Sequence, residues 1–152
     1  GGPNVMVWAG ISLNHRTPLV ILDGNLTAQR YVDQVLRPHV VPLMDGHHEL
    51  RFFQHDGARP HTAALTQAFL EEEDIQVLRW VPYSPDLNPI EHLWDILGRR
   101  VAQREPHTRQ QLTRFLTEEW EAIPQDSIRR LIESMRKRCR ECVAADGGHT
   151  SY

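Results

Sequence analysis

The sequence predicts an α/β fold, in which a partly parallel sheet packs against helices. Two observations support this class: β-branched runs alternate with helical patterns up to residue 81, and the apolar residues beyond Pro89 recur at helical spacing. Alternating strands and helices favour right-handed crossovers, and hence parallel pairing of neighbouring strands. The length of 152 residues and the hydrophobic fraction of 40% suit one compact core, so we expect a single domain over residues 1–152.

The first predicted elements are two neighbouring strands and a helix. Val5–Ile11 and Leu19–Leu22 are rich in aliphatic and β-branched residues, and the turn-like stretch between them predicts that they pair. A helix begins after Thr27, whose hydroxyl can cap it. Pro38 and Pro42 interrupt its helical pattern, so we expect a kink or a break there.

Two further strands flank a second helix. Leu50–Gln54 and Ile75–Val81 are predicted strands, and Ala63–Glu72 is a predicted helix with Thr62 as its N-cap. This order continues the strand–helix alternation that indicates a partly parallel sheet.

The part of the chain from Pro89 onward is predicted to be helical. Two amphipathic segments, Gln110–Ala122 and Ser127–Val143, follow a first helix that carries one apolar stripe. That stripe consists of Ile90, Leu93, Trp94, Leu97 and Val101. Buried aromatic side chains dominate core energetics, and an anchoring role in the core is the simplest one for Trp80, Trp94 and Trp120.

Charge is distributed unevenly along the chain. The net charge is −3, yet residues 99–140 carry 11 Arg and Lys against 6 acidic residues, a local charge of +5 that leaves −8 elsewhere. Such a region either binds a polyanion or forms the solvated faces of helices, and composition alone leaves both interpretations open.

Membrane and secreted classes are not indicated. The longest aliphatic run, Leu19–Leu22, is far shorter than the about 20 residues that a membrane helix needs. The opening residues lack the features of a signal peptide, and two cysteines cannot build a disulfide framework. We therefore expect an intracellular protein without a membrane partner, and the opening Gly-Gly-Pro predicts a fragment of a longer chain.

Asp56 and Glu91 are the residues whose positions suggest chemistry. Asp56 follows a predicted strand, and catalytic groups of open α/β sheets collect at the carboxyl ends of strands; alternatively, Asp56-Gly57 is only a turn. Glu91 stands in the first turn of a helix that Asn88 can cap and Pro89 can begin, so it is either a capping-box partner or a ligand. Two such carboxylates can share divalent ions, because Mg²⁺ prefers oxygen ligands.

Other candidate ligands are weaker. Asp23 and Asp86 both lie in turn sequences. His61 and His92 can orient groups around a metal, although a place at a helix start or in the packing is favoured for both. Structural zinc is disfavoured because it needs four ligands, and the sequence offers only Cys139, Cys142 and His149.

Several segments resemble the Tc/mariner superfamily of DDE transposases, whose catalytic domains have a ribonuclease H-like fold. The resemblance covers essentially the whole chain and is carried by VMVWAGIS, DGNLTAQRYVDQVLRPHVVP, HDGARPHTA, YSPDLNPIEHLWDILGRR and GGHTSY. It implies that Asp56 is the second acidic residue of the family's catalytic triad and Glu91 the third. The 34 residues that separate them match the family's spacing.

The resemblance also predicts what this chain lacks. The family's first catalytic aspartate lies on a strand that would precede Gly1, so the first central strand is expected to be missing and its neighbours exposed. The chain alone is then expected to be inactive, and the family's N-terminal helix-turn-helix region is likewise expected to be missing from it. His55 and Gly57 replace residues that are more often Gln and Asn in the family.

The function implied by the resemblance is Mg²⁺- or Mn²⁺-dependent DNA cleavage and strand transfer in the nucleus. The partners would be transposon-end and target DNA and, in the complete protein, a second copy in a homodimer. Phosphates would be contacted by Arg99, Arg100 and Arg104. Two other functions stay open: a non-catalytic remnant that binds nucleic acid or a partner, and, less favoured, a metal phosphohydrolase built on His55-Asp56.

Overall fold

The computed structural model describes residues 4–56, 58–78 and 89–134 and the backbone of residues 142–151. The strands in these ranges are β1 (Asn4–Ile11), β2 (Val20–Leu22), β3 (Phe52–His55), β4 (Gln76–Val77) and β5 (Cys142–Ser151). The helical segments are α1 (Ala28–Tyr31), a π-helix (Val32–Val40), α2 (Val41–Gly46), α3 (Arg59–Thr62), α4 (Ala64–Glu72), α5 (Pro89–Gln103), α6 (Arg109–Ala122) and α7 (Gln125–Ser134).

The strands form one mixed sheet in the order β2-β1-β5-β3-β4. β1 pairs with both β2 and β5 in antiparallel orientation, whereas β3 pairs with both β5 and β4 in parallel. The predicted pairing of the first two strands and the partly parallel character of the sheet are therefore confirmed.

β1 is buried on both faces and separates two hydrophobic clusters. Its alternate residues Val5, Val7, Ala9 and Ile11 pack with α5, α6 and α7. Trp8, which points to the other face, packs with side chains from α1, the π-helix and α4. Because successive strand residues face opposite sides, this alternation places helices on both faces of the sheet.

The helical prediction fails at the end of the chain, where Cys142–Ser151 forms β5. β5 inserts between β1 and β3 and pairs with both of them. The exposure expected for strands next to the missing central strand is therefore not seen at these two strands. The partners of β5 lie far away in the sequence, as in the pair Asn4 and Ser151. Local periodicity cannot detect pairing of this kind, because it reflects tertiary contacts.

The expected disturbance at Pro38 takes the form of a π-helix and not of a break, since helical structure continues from Ala28 to Gly46. Pro38 lies within the π-helix. At the end of this π-helix the Val41 N–H donates to the Leu36 carbonyl, five residues earlier in the chain. This wider turn accommodates a residue that lacks an N–H and would crowd an ordinary α-helix. The predicted cap at the start is confirmed, because the Thr27 hydroxyl accepts the Arg30 N–H at 3.1 Å.

Thr62 does not cap the following helix. It closes α3, with its hydroxyl near the carbonyls of Ala58 and Arg59 at 3.4 and 3.5 Å. Ala63 is extended and begins α4 without a side-chain cap. α4 confirms the helix predicted over Ala63–Glu72 to within one residue, and α3 is an additional short helix that the extended Ala63 separates from it.

The helices α5, α6 and α7 confirm the helical pattern predicted up to residue 134. α5 buries Ile90, Leu93, Leu97 and Val101, four of the five residues in the predicted stripe. α6 is capped by Thr108, whose hydroxyl accepts the Gln111 N–H at 3.0 Å. None of the helices in the described ranges combines the length and apolar character that a membrane crossing requires.

A polar clamp joins the β1–β2 connection to the end of α6. The Arg16 guanidinium donates to the carbonyls of Trp120, at 2.8 Å, and Ile123. The Gln125 amide donates to the carbonyl of Ser12 at 3.1 Å, and the Trp120 indole N–H donates to that of Thr17 at 3.0 Å. Burial lowers the pKa of Arg16, which shows that the clamp is partly withdrawn from water.

Replacing Trp120 tests the clamp. We expect Trp120→Phe to lower the free energy of unfolding by about 1–3 kcal/mol more than Trp94→Phe, because it leaves the buried Thr17 carbonyl without its donor. Trp94 is a matched control: its ring lies 5.7 Å from that of Trp120, and its indole N–H has no hydrogen-bond partner among the residues that the structure describes. Urea unfolding followed by circular dichroism measures both, and equal losses would contradict the role of this hydrogen bond.

Candidate active site

Asp56 lies at the carboxyl end of β3, a strand in the interior of the sheet. Its Oδ1 atom accepts the N–H of Ala58 at 3.0 Å, which fixes the turn after the strand. The Asp56 side chain is nevertheless 36% exposed. It is therefore both oriented by the backbone and reachable from solvent.

His61 supports Asp56 from below the surface. Its side chain is 2% exposed, and its Nδ1 atom lies 2.6 Å from Asp56 Oδ1. His61 is part of α3, which follows directly on the turn that contains Asp56. The packing role expected for His61 is thus combined with a direct contact to the carboxylate, whereas His92 on α5 is exposed.

His55 and Tyr31 extend this arrangement into an aromatic stack. The rings of His55 and His61 are nearly parallel, 4.9 Å apart, and the Tyr31 ring stacks on His61 at 4.3 Å. The Tyr31 hydroxyl and His55 Nδ1 are 2.8 Å apart, within hydrogen-bond distance. Sequence analysis missed Tyr31, because a buried tyrosine in a helical stripe looks like any other core residue.

His55 remains neutral at physiological pH. Its pKa is lowered to about 3, chiefly by burial and also by the nearby His61, while Asp56 acts in the opposite direction. A neutral imidazole keeps one ring nitrogen as an acceptor, so Nδ1 can accept the Tyr31 hydroxyl. The stack behind Asp56 therefore adds no positive charge at His55.

Glu91 lies in the first turn of α5, where it is half-buried next to the buried residues Pro89 and Ile90. Pro89 begins the helix, as predicted, whereas the expected cap Asn88 lies outside the described residues. α5 packs against β5, and β5 is the neighbour of β3 in the sheet. The helix that carries Glu91 and the strand that leads to Asp56 thus contact the same strand. That the two carboxylates share an ion stays a prediction.

The remaining candidates are acidic, cysteine and tryptophan residues, and the structure describes the surroundings of only some of them. Asp23 is in an exposed turn with Gly24 at φ 64° and forms an ion pair with Arg109. Trp94 and Trp120 contact each other in the core, as predicted. The expectations for Asp86, Cys139 and Trp80 lie outside the described residues, and Cys142 is described by its backbone alone.

The three arginines proposed to contact phosphates differ in their surroundings. Arg104 binds Glu118 and Glu119 at 2.8 and 3.0 Å, and these bonds raise its pKa. Arg100 approaches Glu119 at 4.0 Å, and Arg99 is exposed on the same helix. Arg104 therefore joins α5 to α6, while Arg99 and Arg100 are more accessible to a polyanion.

Sequence comparison identifies the family to which this chain belongs. A family model described as a DDE superfamily endonuclease matches residues 2–113. The transposable element Tc1 transposase of Caenorhabditis elegans is 31% identical over 155 residues, and the Tcb1 transposase of Caenorhabditis briggsae is 33% identical over 154. Both alignments include the whole chain but only 56% of the relative, so the chain spans about half the length of these proteins.

Solved structures agree in fold. The catalytic domain of Mos1 transposase with raltegravir and magnesium superposes with a TM-score of 0.71 at 24% identity, over 86% of this chain and 69% of that one. The Mos1 paired-end complex with the left transposon end gives 0.72 at 25% identity, over 89% of this chain and 41% of that one. The predicted ribonuclease H-like fold is confirmed by this likeness.

The burial of His55 predicts a specific loss of stability in acid. Between pH 6.5 and about 3 the unfolded chain protonates His55 while the folded chain does not, so the free energy of unfolding falls as pH falls. In metal-free buffer, His55→Gln should flatten this decline by up to about 1.4 kcal/mol per pH unit. Urea unfolding at a series of pH values measures it.

Tyr31→Phe is the matched control for this measurement. It removes the hydrogen bond to His55 but not the burial, so the variant should be less stable and keep most of the wild-type pH slope. Parallel profiles for wild type and His55→Gln would contradict the assignment.

Proposed function

Because the chain belongs to the DDE superfamily of endonucleases, and within it to the Tc/mariner transposases, we propose that it forms part of a metal-dependent catalytic domain. This domain would cleave DNA at a transposon end and join the freed end to target DNA. One observation carries the proposal: an accessible Asp56 carboxylate, held by His61 and the Ala58 N–H, at the carboxyl end of an interior strand.

Asp56 and Glu91 are the proposed ligands of a Mg²⁺ or Mn²⁺ ion. Their carboxylates offer the hard oxygen donors that these ions prefer, and the partial exposure of both residues leaves room for bound water. The Mos1 catalytic domain has been solved with each of these metals, which supports the choice. Bound there, the metal would activate the attacking oxygen and offset the charge that develops at phosphorus.

The residues around Asp56 would set its geometry. His61 and the Ala58 N–H both contact Oδ1, which restricts rotation of the carboxylate. His61 therefore acts as a positioning residue, in the way that outer partners orient metal ligands. The neutral His55 and its Tyr31 partner exclude water behind the site and place no cation there that would compete with a metal.

The partners and setting of the complete protein are part of the same proposal. The substrates would be transposon-end and target DNA, with phosphates contacted by Arg99 and Arg100. Two copies would act together in the complete protein, in the nucleus where the DNA lies, and the Mos1 paired-end complex with the left transposon end supports DNA as the partner. Residues 1–152 would form one catalytic unit within the longer relatives' architecture.

Metal binding tests the ligand assignment. Calorimetry with Mn²⁺ should show the largest loss of affinity for Asp56→Asn and Glu91→Gln, because each removes a ligand. His61→Ala should weaken binding by about 10- to 100-fold, as expected for an outer partner. Glu121→Gln, an exposed carboxylate on α6, is the control and should leave binding unchanged. DNA nicking by the longer protein that contains this chain should follow the same ranking.

Two outcomes would contradict the proposal. If Glu91→Gln lowers stability but leaves Mn²⁺ affinity intact, Glu91 is a helix-start residue and not a ligand. If neither substitution affects metal binding or nicking, the chain is better described as a non-catalytic DNA-binding remnant.

DNA binding tests the arginines separately. Arg99→Gln and Arg100→Gln should each lower affinity for duplex DNA and reduce the slope of log K against log salt by about 0.9, since each removes one phosphate contact. Arg104→Gln should instead lower thermal stability, because its guanidinium is bound to Glu118 and Glu119. Fluorescence anisotropy over a salt series measures the slope, and an unchanged slope in both variants would overturn the assignment.

A further inference from the structure

His15, His47 and Glu49 form a cluster in which His47 and Glu49 precede β3, whereas the proposed metal ligand Asp56 follows that strand. His15 lies in the connection between β1 and β2, whereas His47 and Glu49 lie between α2 and β3. Their potential ligand atoms all lie within 4.8 Å of one another. No step of the proposed DNA chemistry uses these side chains.

Both backbone segments of the cluster are fixed by turns. The Ser12 N–H donates to the His15 carbonyl at 2.8 Å, and the His15 N–H donates to the Ser12 hydroxyl at 3.1 Å. On the other side, the Leu50 N–H donates to the His47 carbonyl at 3.0 Å. The three side chains are thus presented from two short, hydrogen-bonded loops, so that little backbone ordering would be needed to bind a ligand.

The carboxylate lies between the two imidazoles. Glu49 Oε1 is 2.9 Å from His15 Nε2 and 3.8 Å from His47 Nδ1. A tetrahedral zinc ion with bonds of about 2.0–2.2 Å holds its ligand atoms about 3.3–3.6 Å apart, a value that lies between these two distances. Shifts of about half an ångström would therefore bring the Glu49 oxygen to ligand spacing from each of the two nitrogens.

The side chains have the freedom that this adjustment requires. The two imidazole rings are stacked with centroids 3.6 Å apart and an interplanar angle of 24°, so one ring must turn before both can face the same ion. The side chains of His47 and Glu49 are 35% and 47% exposed, which permits that rotation.

We propose that His15, His47 and Glu49 bind a divalent transition-metal ion, with Zn²⁺ as the best match. Two imidazoles and one carboxylate suit zinc, and three protein ligands leave a fourth position for water. The set is poorly suited to Mg²⁺, which prefers oxygen ligands. The ion would clip the β1–β2 connection to the segment leading into β3, and would stabilise the fold by binding only its folded form.

Zinc titration of the untagged, chelator-stripped chain tests this site. In excess Mg²⁺, calorimetry should show one Zn²⁺ ion per chain, and Zn²⁺ should raise the midpoint of thermal unfolding. His15→Ala, His47→Ala and Glu49→Gln should each weaken zinc binding by at least about 10-fold, since a lost ligand costs more than a lost outer partner. Co²⁺ should give the intense visible absorption of a tetrahedral site, and the same substitutions should abolish it.

His48→Ala is the matched control, because His48 is exposed in the same loop, between His47 and Glu49. It should leave zinc affinity and the Co²⁺ spectrum unchanged. Equal loss in His48→Ala, or wild-type binding that survives all three ligand substitutions, would overturn the proposal and leave a hydrogen-bonded His–Glu pair. Asp56→Asn and Glu91→Gln should not affect this zinc site, so its failure and that of the proposed DNA chemistry are distinguishable.

Discussion

The burial of β1 on both faces is the constraint on which the rest of the structure depends. A strand buried in this way needs a neighbour along each edge and a layer of helices over each face. β2 and β5 supply the edges, while the two hydrophobic clusters supply the faces. The polar clamp around Arg16 then holds α6 against the end of this strand, because the β1–β2 connection and the end of α6 share hydrogen bonds.

The sequence predicted well those features that depend on neighbouring residues. β1, β2, the Thr27 cap and the helices α5 and α6 follow from periodicity and capping chemistry, which act over a few residues. The errors occur where distant groups decide the outcome. β5 forms where a helical pattern was predicted, because β1 and β3, which are distant in sequence, offer it two edges.

The candidate site likewise contains residues that local sequence patterns identify and residues that they do not. Asp56 and Glu91 were recognisable from their sequence context and from resemblance, because strand ends and helix starts have local signatures. The contact of His61 with Asp56 and the stack with His55 and Tyr31 arise only when α1, α3 and β3 pack together. The site therefore combines residues with a sequence signature and supporting residues that resemble an ordinary core.

The position of β5 affects how the protein is made. A ribosome adds about 5–20 residues per second, so about 7–28 s pass between the synthesis of β1 and that of β5. Until then the edges of β1 and β3 that pair with β5 lack this partner. Open strand edges promote association with other chains, and a product that stopped before Cys142 would keep them open. Pairing of β5 with β1 and β3 is thus a late event in biosynthesis.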